Sequence, residues 1–219
     1  MALLIPAVWG GLAWALTFGL LELHPLAYLL VTAAMLKTTF SVRMLHRVAA
    51  DIGRILATGD IAEVRRRMSA LVSRDTSQLT PAQAAAGAIE SVAENVTDSV
   101  ASARLDDAAN LIPARLAAVM LWLSTLALPG MLAGRAGRIM LAHHGRTESP
   151  NAGWTMAAMA GGLGVTLEKV GHYRLGDPAP EPCARHIGRA TRALYATTAL
   201  AALVAVGVIW LRWIFGWAV

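Results

Sequence analysis

Apolar and polar stretches alternate along this 219-residue chain on two length scales. The coarse scale consists of long runs without a charge. Residues 2–21, 116–134 and 193–211 contain no Asp, Glu, Lys or Arg, and residues 23–36 form a shorter run of the same kind. Each long run approaches the ~20 residues that a helix needs to cross a bilayer. One soluble core does not hide three such runs in a chain of this size, so the pattern predicts membrane insertion rather than a greasy soluble bundle. Strand periodicity is weak throughout. The expected fold is all-α: a polytopic integral membrane protein with amphipathic helices and a Gly/Pro-rich loop segment between apolar spans. A single membrane domain is expected over residues 1–219. It divides into N-terminal apolar spans at 2–36, a polar helical segment at 37–115, an apolar run at 116–134, a loop-rich segment at 135–192 and a C-terminal span at 193–211.

The finer scale is helical. Leu45, Val48, Ala49, Ile52, Ile55 and Leu56 recur at the spacing of an amphipathic helix, and Gly59 ends it. Asp60 with Glu63 reads as a capping box that opens a second helix toward Leu71. Arg65, Arg66 and Arg67 crowd the polar side of that helix and are expected on a solvated or headgroup-facing surface. Thr80-Pro81-Ala82-Gln83 is a strong helix start. Thr80 caps, Pro81 sits where its missing N–H costs nothing, and Gln83 reaches back to the cap. That helix is expected to run to about Val96. Asn151 is placed to cap another, from Ala152 to Met159, and Gly161-Gly162-Leu163-Gly164 to end it and shape a loop.

Composition supports the membrane reading and removes other classes. Hydrophobic residues make up 56% of the chain and charged residues 15%, a more apolar balance than an ordinary soluble domain has. Trp9, Trp14, Trp122, Trp210, Trp213 and Trp217 lie in or beside the apolar runs, as in the aromatic belts of membrane surfaces. The first run lacks a basic flank and exceeds the apolar stretch of a signal peptide, so it is expected to be a retained anchor. Cys183 is the sole cysteine, which excludes an intrachain disulfide and a multi-cysteine metal site. The net charge of +5 comes without a nucleic-acid-binding motif and is ordinary for a membrane protein.

Polar residues held together in so apolar a chain mark a site or a partner. Two groups stand out. One is Arg74-Asp75-Thr76-Ser77-Gln78, followed by Glu90, Glu94, Asn95 and Asp98; the other is Ser149-Pro150-Asn151-Ala152-Gly153-Trp154. At about 100° per residue, Glu90, Glu94 and Asp98 form one stripe opposite Ala85, Ile89, Val92, Ala93 and Val96. No Lys or Arg occurs between Asp75 and Ala103, so the acids have no cation on their own helix, and like charges one turn apart repel. Two readings stand side by side: acids facing water, or acids holding Mg2+, which takes one or two carboxylates together with phosphate oxygens. Arg104, Asp106, Asp107, Asn110 and Arg115 form a further cluster ahead of an apolar run, with Arg115 expected to snorkel at a membrane edge. The adjacent His143 and His144 are expected as hydrogen-bonded or interfacial residues rather than metal ligands.

RDTSQLT at 74–80, ESVAENVTDS at 90–99, ARLDDAANLIPARL at 103–116 and SPNAGWTMAAMAGGLGVTLEK at 149–169 together resemble the CobD/CbiB family of cobalamin biosynthesis. KTTF at 37–40 and GHYRLGD at 171–177 also match, and the blocks fall in the family's order. Against that pattern the chain reads as shortened at the N-terminus and in the middle, where Ser99-Val100 runs almost directly into Arg104-Leu105-Asp106. The resemblance implies a multi-pass enzyme of the cytoplasmic (inner) membrane. Its activity would join adenosylcobyric acid to aminopropanol, or its phosphate, by an amide bond to give adenosylcobinamide (phosphate). It implies an ATP-dependent ligase that uses Mg2+ and has no tightly bound cofactor. Implied partners are the corrinoid, the aminopropanol-type amine, the lipid bilayer and other cobalamin-assembly enzymes, with no nucleic acid. On the same footing Arg74, Asp75, Glu90, Glu94 and Asp98 are catalytic candidates, and Glu90, Glu94 and Asp98 are metal ligands. Thr76, Asn95, Asp106, Asp107, Asn110, Ser149 and Asn151 are substrate-binding candidates. The alternative is an inactive or regulatory member, such as an AmpE-like membrane sensor or a corrinoid- or partner-binding protein. A shared site also sets a topological condition. A single crossing by 116–134 would part the two motif segments, whereas a run doubled back around Pro129-Gly130 would keep them on one face.

Overall fold

A computed structural model describes residues 42–69, 71, 76–95 and 111–215. The expected spans at 2–36 and the KTTF block at 37–40 lie outside them. The described elements, in order, are α1 (Val42–Thr58), α2 (Ile61–Met68), α3 (Pro81–Glu94), α4 (Leu111–Ala127), α5 (Ala133–His143), a 3-10 turn (His144–Arg146), α6 (Ala152–Leu163), β1 (Leu167–Lys169), β2 (Tyr173–Leu175) and α7 (Ala184–Phe215). The chain is mostly helical, as the periodicity predicts. The antiparallel β1–β2 hairpin departs from the all-α expectation, with Glu168 opposite Arg174 at its centre. Three-residue strands are too short to carry a readable alternation.

Local signals set several boundaries. Gly59 takes φ 82° and closes α1, because a left-handed residue without Cβ ends a helix without strain. Asp60 caps α2 by accepting the Glu63 N–H at 3.0 Å. Glu63 does not complete the box. Its carboxylate turns to Arg66 and Arg67 at 2.7 and 2.9 Å, and these cations hold it down at about 2. Arg66 and Arg67 are thus the exposed pair expected of the triplet, but Arg65 is not. Its Nε donates to the Leu79 carbonyl at 3.1 Å and ties α2 to the start of α3. The Thr80–Gln83 capping box forms in both directions.

The apolar run at 116–134 is not one helix. It breaks after Ala127, turns through Pro129 and Gly130 (φ 78°), and restarts as α5. Trp122 Nε1 donates to the Ala133 carbonyl at 3.1 Å across this hairpin. Helix α6 lies against α5, α4 and α3, and is buried at every residue from Thr155 to Leu163. Its close approach to α5 needs glycine. A Cβ at Gly161 would lie 2.7 Å from the Arg135 carbonyl oxygen and 2.9 Å from the Ala136 Cα. Gly161 and Gly162 are therefore packing residues inside α6, not the loop formers expected from sequence; Gly164, at φ 69°, is the one that ends the helix.

The inner turns of α7 pack on α1, α3 and α4 through Ile187, Ala190 and Leu194. Buried Thr197 on α7 shares a hydroxyl hydrogen bond with Ser124 of α4 at 3.0 Å. Farther out α7 exposes Leu203, Val206, Trp210, Leu211, Ile214 and Phe215, and α4 exposes Ile112, Leu116, Leu123 and Leu126. Among the described residues no helix is long and apolar enough to cross a membrane.

The α5–α6 seam makes a direct prediction. Gly161→Ala should cost about 1–3 kcal/mol, because overpacking forces backbone to move. Gly188→Ala, where a Cβ meets nothing within 4 Å, should be neutral or stabilise α7 slightly. Thermal unfolding of the two purified variants tests the contrast; equal melting points would show the seam can yield.

Candidate functional site

The first motif block folds around α3. Its sequence is rich in alanine, so neighbours approach closely on all sides, and every residue from Ala84 to Ala93 is buried. Glu90 is among them, only 6% exposed. This removes the reading in which its carboxylate faces water. A buried carboxylate must be partnered, because leaving a charge bare in a low-dielectric interior is costly. Neither Glu90 nor Glu94 is free of partners. Glu94 is half-buried at the end of α3. Asn95 caps that end, and its Nδ2 donates to the Ser91 carbonyl at 3.1 Å, so this side chain serves its own helix. Thr76 is buried, and its carbonyl accepts the Leu79 N–H in the turn before α3.

The second block folds around the start of α6. Here the cap differs from the expectation. Ser149, not Asn151, takes the role: its Oγ accepts the N–H groups of Asn151 and Ala152, both at 3.3 Å. Thr147 donates to the Ser149 carbonyl at 2.8 Å and holds the turn shut. Gly153 makes the turn possible, since a Cβ there would lie 2.0 Å from the His144 carbonyl oxygen. Asn151 is thereby spared from capping and is buried, 4% exposed. Trp154, in the first turn, stacks on His144 with ring centroids 3.9 Å apart. The Arg115 guanidinium lies 5.0 Å from the centre of the same indole. Arg115 therefore folds inward onto Trp154 rather than reaching out from a membrane edge.

Helices α3 and α6 pack on each other, so the two blocks share one core. The α4–α5 hairpin is what allows this, since it returns the chain to the side it left.

A latch fastens the loop that carries GHYRLGD. His143 is buried at the end of α5, and its Nδ1 accepts the Gly176 N–H at 3.1 Å. That bond fixes the neutral tautomer with the proton on Nε2. Burial, with Arg146 nearby, pushes the imidazole below its usual range. Arg146 pairs with Asp177 at 2.8 Å and donates to the Arg174 carbonyl at 3.2 Å. Arg135 donates to the carbonyls of Gly176 and Pro178. Burial opposes ionisation of Asp177, but its own backbone N–H and Arg146 outweigh it and hold the carboxyl below the ordinary range. Farther along, Glu148 meets His172 Nδ1 at 2.6 Å, and this bond lowers the Glu148 carboxyl.

The structure thus places Glu90, Glu94 and Asn95 in the last turns of α3 and Thr76 ahead of its first turn, at the opposite end of the helix, and packs α3 against the helix that Ser149 and Asn151 introduce. Arg74, Asp75, Asp98, Asp106, Asp107 and Asn110 lie outside the described residues. Among the described residues no group of three or more His, Cys, Asp or Glu side chains is placed to hold a metal. Sequence reasoning missed Arg135, Arg146 and Asp177. The only signal was the GHYRLGD block itself, which marks the loop but not what holds it.

A model of the CobD/CbiB protein family matches residues 1–102 and 100–206. The two matches adjoin where the chain reads as shortened. The cobalamin biosynthesis protein CobD of Dehalococcoides mccartyi is 37% identical over 216 residues, covering 81% of this chain and 68% of that one. The CobD of Geobacter metallireducens is 35% identical over 226 residues, covering 83% of this chain and 69% of the relative. The cobalamin biosynthesis protein CbiB of Salmonella typhimurium is 31% identical over 251 residues, covering 92% of this chain and 78% of the relative. An alignment of 251 positions exceeds the whole 219-residue chain, so the relative carries residues inside the matched region that have no counterpart here. The chain spans about two thirds of the length of the first curated relatives it matches. No solved structure matches it.

The latch predicts a pH dependence. The folded His143 titrates below the 6.5 of a free imidazole, so its contribution is complete above that pH. It falls as pH drops from 6.5 toward the folded value, because the unfolded chain takes up a proton the folded one refuses. His143→Asn keeps an acceptor for Gly176 but does not titrate. Melting temperatures between about pH 8 and pH 5 should fall less steeply for this variant than for the wild type. A remaining slope is expected from His186, which burial also lowers. Identical slopes would remove His143 as the cause.

Proposed function

The chain belongs to the CobD/CbiB family, and from that premise we propose that it is a membrane enzyme of cobalamin biosynthesis, the adenosylcobinamide-phosphate synthase type. It joins the carboxylate of adenosylcobyric acid to the amine of aminopropanol or its phosphate. The observation that carries this reading is the packing of α3, with buried Glu90, against α6, the helix of the SPNAGW block. Two motif blocks far apart in sequence meet in one core.

The chemistry sets demands on the site. A carboxylate is a poor electrophile, and in this proposal it takes the terminal phosphoryl group of ATP, with ADP leaving, to become an acyl phosphate. Attack by the amine then forms the amide and releases phosphate. Groups that neutralise phosphate charge and hold the reactants in place lower the barrier. Glu90 and Glu94 are the described donors that would hold Mg2+ with Asp98. Two carboxylates one turn apart, completed by phosphate oxygens, suit a hard cation. Arg74 is assigned to a phosphate or carboxylate, which its planar fork can grip with two hydrogen bonds. Asn151 and Thr76 are buried polar side chains assigned to hydrogen-bonding the substrate.

Membrane insertion is part of the proposal. The uncharged runs support it, and so do the aliphatic and aromatic side chains that the outer turns of α7 and the flank of α4 leave exposed. Such a patch is expensive in water and is at home against lipid.

Two experiments test the reading. In a strain unable to make cobinamide from cobyric acid, the chain should restore growth on cobyric acid; growth on cobinamide alone would sink the synthase. Glu90→Gln should abolish that rescue while the protein level in the membrane holds, and unimpaired rescue would reduce Glu90 to a packing residue. After alkaline carbonate washing, the wild-type protein should stay with the membrane pellet; release into the supernatant contradicts insertion.

A further inference from the structure

A cleft of about 350 Å³ opens where the turn before α3 meets the β1–β2 hairpin. Gln78 and Gln83 line one side, and Glu168, Lys169 and His172 line the other. Gln78 belongs to RDTSQLT, Glu168 and Lys169 end the block that begins with SPNAGW, and His172 belongs to GHYRLGD. The cleft is therefore a second place where distant blocks converge.

Its walls carry unsatisfied capacity of both signs. Among the described residues, the Lys169 ammonium makes no hydrogen bond and no ion pair. Glu148 feels its charge but is already bonded to His172 at 2.6 Å. Among the described residues Glu168 pairs with Arg174 alone, at 3.9 Å across the hairpin, an exposed pair of little strength. Gln83 uses its Oε1 to accept the Thr80 N–H at 2.9 Å, which leaves its amide N–H groups to donate. Leu79 forms a buried apolar floor.

Size then decides what fits. A cleft of this volume can enclose a small polar molecule but not a whole macrocycle.

We infer that this cleft binds a small zwitterion bearing an anionic oxygen group and an ammonium, with Lys169 and the Gln83 amide on the anion and Glu168 on the ammonium. The inference deepens the synthase reading and rests on it. Of the two reactants of an amide-forming step on a corrinoid, the small amine is the one this cleft fits. The corrinoid then lies elsewhere, and the hairpin becomes the element that sets amine specificity.

The test uses the full chain in detergent, with O-phosphoethanolamine and inorganic phosphate as probes in calorimetric titrations. The wild type should bind both saturably, with O-phosphoethanolamine the tighter. Lys169→Ala should weaken both by about tenfold, and Glu168→Gln should weaken only O-phosphoethanolamine, by about threefold to tenfold. Both side chains are partly exposed, so unchanged melting temperatures are expected and certify that the variants fold. No saturable binding to the wild type, or equal affinities in all three proteins, overturns the inference. The growth assay keeps the two claims apart. A chain that rescues growth yet binds neither probe loses the cleft and keeps the synthase. One that binds with the expected losses yet fails to rescue does the reverse.

Discussion

The contact on which this structure turns is the approach of α6 to α5 at Gly161. With no Cβ to hold them apart, the backbones come close enough that a methyl group would strike the Arg135 carbonyl. Glycine costs a helix about 1 kcal/mol relative to alanine. Burial of both faces of α6 offsets that. In return α6 sits at the centre, touching α3, α4 and α5 at once. The seam also fixes the end of α5, and with it His143 and the 3-10 turn that leads to the SPNAGW block. Displacing α5 would disturb the cap at Ser149 and the hold on Gly176 together.

From that scaffold the polar chemistry is arranged in layers. Glu90 sits within an alanine-rich helix, where small neighbours bring backbone and side chains close around it. Asn151 is buried because Ser149 has taken over the work of capping. Both side chains are therefore kept in the interior. The cationic groups lie further out, with Arg115 on the Trp154 ring, and Arg135 and Arg146 on the loop after β2. An apolar chain concentrates its few polar groups in this way because each must find a partner or a ligand.

The shortening relative to other family members falls between α3 and α4. The Salmonella typhimurium relative carries residues inside the matched region that this chain lacks. Even so, the helices on either side, α3 before it and α4 to α6 after it, share a single core. The stretch is thus not needed to bring α3 and α6 together. The contacts that do so lie between the retained helices themselves, while the glycines of α6 serve its approach to α4 and α5.

Much of the fold was legible in the sequence where the deciding bond is local. Gly59, the Asp60 cap and the Thr80–Gln83 box are written in residues at most a turn apart, and each forms at its expected place. The break at Pro129-Gly130 was legible as one of two possibilities, because Pro and Gly disfavour continuation without dictating where the chain goes next. The β1–β2 hairpin was not legible, being too short to show a period. Nor was the latch, since His143 and Gly176 stand 33 residues apart and no spacing rule links them. Glu90 shows the division most clearly. Its place on a stripe with Glu94 followed from the helical repeat alone. Whether that stripe met water or the core depended on what packed against α3, and α6 and α7, from far along the chain, decided it. The sequence by itself determined where the capped helices begin, because those bonds close within a turn. Only the tertiary structure decided which polar groups are buried, because burial is set by neighbours that the order of residues does not name.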